Sequence, residues 1–180
     1  MSAIRFESKL FKINSWTILR LPKEVSAKLP SRGQTMVKGT INGFHFQTAL
    51  EPDGKFSHWL RVDETMREAT NVAAGDTAAL EIEPTKEWPE PNVPEDLKNA
   101  LADVPPIHKL WMDITPMARW DWIRWIGSTQ NPQTRKKRIE TAFSKLKAGE
   151  RRPCCFNRTA CTQPSVSHNG VLLEPTKATV

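Results

Sequence analysis

Eleven of the 26 lysines and arginines in this 180-residue chain fall between Met117 and Arg158, against three aspartates and glutamates. That stretch carries +8, the rest carries −2, and the overall +6 belongs to it alone. Lys136, Lys137, Arg138 and Lys145 lie on one helical stretch, Arg151 and Arg152 follow it, and Trp122 sits in a tryptophan-rich segment before it. Two chemistries fit these residue types. Clustered cations neutralise a phosphate backbone and displace its counterions, whereas Trp and Arg together are the usual anchors of protein interfaces. A cationic run is more often only a wet face that keeps a helix soluble. A second candidate site is a small-ligand pocket near His45, His58 and Trp59, which fall on neighbouring predicted strands. Two histidines without a third ligand make a poor metal site, so no metal and no cofactor is expected. Cys154, Cys155 and Cys161 are odd in number, crowded into the tail and too close in sequence for a spaced ligand pair, so they read as exposed reduced thiols. Neither a glycine-rich phosphate loop nor a nucleophile elbow is present, and the reading is of a protein that is not an enzyme.

The elements that must position these residues divide the chain in four. Residues 1–83 alternate in short β-compatible runs, with Asn42-Gly43 between two apolar runs as the strongest hairpin signal, since both residues accept positive φ. Short helices are expected over 23–29 and after Asp63. Six or so strands joined by tight turns favour a small barrel over a parallel sheet with crossover helices. Residues 84–115 form a proline-rich connector with one short helix over 95–102. Residues 116–152 form a helical hairpin, each helix opening on a cap residue and a proline, Thr115-Pro116 and Asn131-Pro132. Residues 153–180, rich in Ser, Thr, Pro and Asn, are expected to be disordered.

On the second hairpin helix Ile139, Ala142, Phe143 and Leu146 form one apolar stripe, expected to pack on Trp120 and Ile123. Arg135 points into that stripe and needs a carboxylate or the face of Trp120 or Trp125. The first helix is apolar nearly all round, which means either burial or tryptophans displayed to another molecule. No apolar run approaches the roughly 20 residues that span a bilayer, and the start lacks a signal-peptide core, so the expected location is the cytoplasm without membrane insertion.

Two sets of residues coincide: Asn42-Gly43 before Phe44–Leu50, with Leu60-Arg61-Val62 and Gly75-Asp76; and Trp125-Ile126, Pro132-x-Thr134-Arg135-x-x-Arg138-Ile139 and Gly149-x-Arg151-Arg152-Pro153. Over about residues 4 to 153 the chain resembles the bacterial YdeI/OmpD-associated, or bacteriocin-protection, family. The resemblance implies an α+β chain: a small split, AbrB-like β-barrel with short helices, a domain of unknown function, followed by a C-terminal helical hairpin. It also implies a role in protection or stress response, with no catalytic residues to carry over. The reading is therefore a non-enzymatic bacterial binding protein that engages an unidentified protein partner through its basic, Trp-rich hairpin. The alternatives are weak, low-specificity nucleic-acid binding and small-ligand binding in the barrel.

Overall fold

The computed structural model describes residues 2–153 and 158–176. The chain folds as two compact units. The first holds six strands, β1 (Ile4–Ile13), β2 (Trp16–Arg20), β3 (Thr35–Ile41), β4 (Phe44–Pro52), β5 (His58–Arg61) and β6 (Thr77–Pro84). They form a closed antiparallel barrel in the order β1-β2-β5-β4-β3-β6, with β6 returning to β1. Closure depends on the two longest strands. β1 pairs with β6 through Ile4–Lys9 and then with β2 through Leu10–Ile13, and β4 pairs with β3 up to Leu50 and then with β5. A strand that changes partner halfway turns the corner of a small barrel and leaves no exposed edge there.

Alternation sets the interior. Leu10, Leu19, Val37, Ile41, Leu50, Leu60 and Ile82 point inward and are fully buried. Asn42 and Gly43 hold φ of 45° and 84°, the positive pair that a two-residue hairpin between right-twisted strands requires. At Gly39 a Cβ would lie 1.9 Å from the Glu81 carbonyl oxygen, so β3 approaches β6 only because that side chain is absent. The connections carry α1 (Lys23–Ser26) and α2 (Glu64–Thr70), the latter capped by Asp63, which accepts the Met66 N–H at 2.9 Å.

The described tail residues overturn the expectation of disorder after residue 153. Ser167–His168 and Val171–Leu172 form a two-stranded hairpin, β7 and β8, turned by Asn169 and Gly170 at φ of 51° and 81°. Cys161, Val166 and Leu172 are buried with Ile13, Ile18 and Trp59 on the outer face of the barrel, flanked by Phe11, Trp16 and Leu173. Adjacent apolar residues in β2 are thus both used, Leu19 in the barrel interior and Ile18 under the tail. The segment is tied by backbone hydrogen bonds from Leu172 N to Asp53 O at 2.9 Å and from Thr176 N to Lys12 O at 2.7 Å. Apolar burial outside the barrel offsets the ordering entropy that the composition alone left unmatched.

The second unit holds α3 (Glu95–Asp103), α4 (Pro105–Asp113), α5 (Pro116–Ile126) and α6 (Pro132–Lys147). The expected connector thus contains two helices instead of one, and the hairpin is half of a four-helix unit. Pro105 and Pro106 occupy the first turn of α4, where a missing N–H costs nothing. Leu97, Leu101, Ile107, Trp111, Trp122, Ile126, Ile139, Ala142 and Leu146 make one core. Thr115 caps α5 by accepting from Ala118 N at 3.2 Å, and Asn131 caps α6 by accepting from Gln133 N and Thr134 N at 3.0 Å. None of the described helices is long and apolar enough to cross a membrane.

Candidate functional site

The cations of the helical unit are spent largely on its own architecture. Arg119, 4% exposed, donates to the carbonyls of Trp111 at 3.1 Å, Met112 at 3.3 Å and Ile114, closing the C-terminus of α4, and pairs with Glu90. Arg138 donates to Trp125 O at 2.8 Å and to Ser128 Oγ, with its guanidinium 5.5 Å from the Trp125 ring centroid. Lys145 meets Glu150 at 3.2 Å, Arg151 meets Asp113 at 3.5 Å, and Arg152 meets the buried Asp121 at 3.6 Å. Arg135 makes a forked pair with Asp96 at 2.9 and 3.0 Å. Its partner is thus a carboxylate on α3 rather than Trp120 or Trp125. The hydrogen bonds from Arg135 hold the Asp96 carboxyl below its ordinary range. Of the six cations singled out in the sequence, Arg138, Lys145, Arg151 and Arg152 are engaged, while Lys136 and Lys137 are exposed.

Trp122 is not an interface anchor. It is fully buried, its indole N–H donates to Arg151 O at 2.9 Å, and its ring meets Trp125 edge-on at 5.9 Å. Trp120 also departs from expectation. Its ring meets Trp88 edge-on at 5.6 Å and its N–H donates to Pro89 O at 2.8 Å, so Trp122 and Ile126 take the place against α6 assigned to Trp120. The extended proline-rich segment claims the outer side of α5, which is why that helix is apolar nearly all round.

What α6 does offer is a groove. Between α3 and α6 a cavity of about 630 Å3 has an apolar floor of Ala100, Val104, Ile139 and Phe143 and a charged rim of Asp96, Asp103, Arg135, Lys136 and Glu140. Val104, at the junction of α3 and α4, is 37% exposed. An apolar floor can accept a partner's apolar side chains, with the charged rim fixing their orientation.

In the barrel unit His45, His58 and Trp59 do not form a common pocket. His45 sits opposite Thr40 near the start of β4, whereas His58 sits opposite Pro52 at its end. Trp59 points to the outer face and packs on Trp16 at 6.2 Å. Sequence adjacency of strands gave no register, and the register separates the two histidines. His58 instead belongs to a polar cluster that the sequence reading missed. Its Nε2 lies 2.9 Å from Gly33 O, which only accepts, so Nε2 carries the hydrogen and Nδ1 accepts from Ser26 Oγ at 2.5 Å. Ser26 is 5% and His58 2% exposed. Burial lowers the pKa of His58, against smaller upward pulls from the Gly33 hydrogen bond and Asp53.

That shift has a sign that can be measured. Between the lowered folded pKa and about 6.5, the unfolded histidine binds a proton that the folded one does not. Stability in that window therefore rises with pH and is lost on acidification. The urea midpoint of the barrel should fall between about pH 7 and pH 5, and less so in His58→Gln, which retains a donor for Gly33 but does not titrate. Identical pH profiles for the two proteins would contradict this assignment.

Among the described residues no group of three His, Cys, Asp or Glu side chains gathers as a metal site. Cys161 is buried in the outer cluster and is not an exposed thiol, and Cys154 and Cys155 lie outside the described residues.

Two family models match the chain. Residues 6–82 match one described as a domain of unknown function (DUF1905), and residues 90–149 match one described as bacteriocin-protection, YdeI or OmpD-associated. No curated protein matches.

Proposed function

Since the chain belongs to the bacteriocin-protection, YdeI or OmpD-associated family through its helical segment, joined to a DUF1905 domain, we propose that it is a bacterial binding protein acting in bacteriocin protection or stress response. It works by engaging a protein partner and not by catalysing a reaction. The partner inserts an apolar segment between α3 and α6, over Ala100, Val104, Ile139 and Phe143. The observation that carries this reading is that groove, where exposed Val104 and half-buried Phe143 leave apolar surface open between the two helices. Its rim charges, Lys136 and Glu140 among them, set the register of the bound segment without supplying most of the affinity, as rim charges generally do. The cytoplasm is the proposed location.

Low-specificity nucleic-acid binding is the second reading, and the ion pairs of the helical unit weigh against it. A cation held by a neighbouring carboxylate releases fewer phosphate counterions than a free one. With Lys145, Arg151 and Arg152 so held, Lys136 and Lys137 are left to do that work.

The experiment is a bacteriocin killing assay on cells whose own copy is replaced by Val104→Asp. An aspartate there suits the N-cap position of α4, so the fold is kept while a charge enters the apolar floor. Protection should be lost with the melting curve unchanged.

A further inference from the structure

We propose that a cavity in the barrel unit, walled by Lys23, Ser26, Arg32, Phe56 and His58, is a binding site for a small anion that carries a flat ring. The cavity holds about 470 Å3, the range of small-molecule sites, and no carboxylate lines it. Lys23 and Arg32 make no ion pair among the described residues, which contrasts with the engaged cations of the helical unit. Two uncompensated cations at one mouth favour a negatively charged occupant.

The floor has a defined polarity. His58 gives its Nε2 hydrogen to Gly33 O, and Ser26 gives its hydroxyl hydrogen to His58 Nδ1. What remains on Ser26 Oγ is acceptor capacity. The buried end therefore accepts from a hydroxyl or amino group of the ligand, while the mouth takes its anionic end.

Phe56 supplies the third contact. It is 78% exposed and has φ of +71°, an unfavourable conformation for a bulky side chain. The loop around it over-determines that geometry. Buried Asp53 accepts from Lys55 N at 2.7 Å and from Ser57 N at 2.9 Å through one oxygen, and Asp53 N donates to Ser57 O at 2.9 Å. At Gly54, φ +79°, a Cβ would lie 2.5 Å from Gly170 O, so the tail hairpin buttresses the loop from behind. Arg32 lies over the ring, yet the side chain stays 78% exposed, so a strained aromatic on a loop fixed from two sides keeps surface open and preorganised for a ligand ring. Arg32 lies 5.4 Å from the Phe56 centroid, so a ligand ring on Phe56 brings its anionic substituent to the guanidinium. This site is independent of the α3/α6 groove and survives failure of the docking reading.

Phosphate and carboxylate ligands share this chemistry, and the test separates them. Adenosine monophosphate and 4-hydroxybenzoate are titrated into the full chain by NMR, with adenosine and inorganic phosphate as partial ligands. At least one of the two ring anions should bind, shifting Phe56 and His58 signals, at least 10-fold tighter than adenosine and phosphate. Phe56→Gly, which relieves the backbone, and the double variant Lys23→Gln/Arg32→Gln should each weaken it about 10-fold without lowering the melting temperature. Tighter binding of the nucleotide assigns the site to phosphates, and tighter binding of 4-hydroxybenzoate assigns it to carboxylates. Absence of binding by both at millimolar concentration would overturn the proposal. So would phosphate binding as well as either ring anion, or affinities indifferent to the two variants.

Discussion

Trp122→Ala is expected to destabilise the helical unit by about 3–5 kcal/mol, the range for emptying a fully buried aromatic site. Trp122 has no exposed surface, belongs to the four-helix core with Ile126, Ile139, Ala142 and Leu146, and donates its indole N–H to Arg151 O. Collapse into the space is limited, because Trp125, the edge-on neighbour of Trp122, remains tied to Arg138 through its carbonyl and its ring. Urea unfolding followed by the helical circular dichroism signal should show an earlier midpoint for that signal. The same substitution separates two roles that the sequence left open. A tryptophan displayed to a partner would lose binding and leave the melt as in wild type, and that result would show that α5 is turned the other way.

Leu172→Ala should cost about 2–5 kcal/mol, as buried leucine truncations do. The residue is 2% exposed and packs with Val166 and Cys161 over Ile13, Ile18 and Trp59. The loss falls on the barrel unit, so its near-ultraviolet signal, to which Trp16 and Trp59 contribute, is the probe. An unchanged midpoint would mean that the tail hairpin contributes nothing to the barrel, and that residues after 153 behave as their composition implied.

How far the sequence reaches is visible in particular residues. The Asn42-Gly43 turn, the cap-proline openings of α5 and α6 and the strand alternation are local signals with local causes, and they place the elements correctly. Asn169-Gly170 is the same hairpin signal, set among Val166, Val171, Leu172 and Leu173, and it was there to be read. Polar composition outweighed it, because nothing local reveals an apolar face on the outside of a barrel waiting to be covered. The fate of the cations was not legible either. Charge counting treats Arg119 as surface, yet it finds Glu90 across 29 residues; for Arg135 the need for a carboxylate or a tryptophan face was legible, but not that Asp96, 39 residues away, would meet it. His45 and His58 failed for the same reason, since their separation depends on strand register along β4. The Ser26–His58–Gly33 cluster joins the connection between β2 and β3 to the first residue of β5, a proximity that is purely tertiary, and no spacing in the chain announces it.

The most direct test of the account sets the groove against the cationic face in one killing assay. Cells carry Val104→Asp in one arm and the pair Lys136→Gln with Lys137→Gln in the other, both checked for wild-type melting and abundance. If a partner's apolar segment fills the space between α3 and α6, Val104→Asp leaves cells as sensitive to bacteriocin as those lacking the gene, and the lysine pair keeps most of the protection. Full protection by Val104→Asp, with protection lost in the lysine pair, would contradict the account and move the function to the charged face.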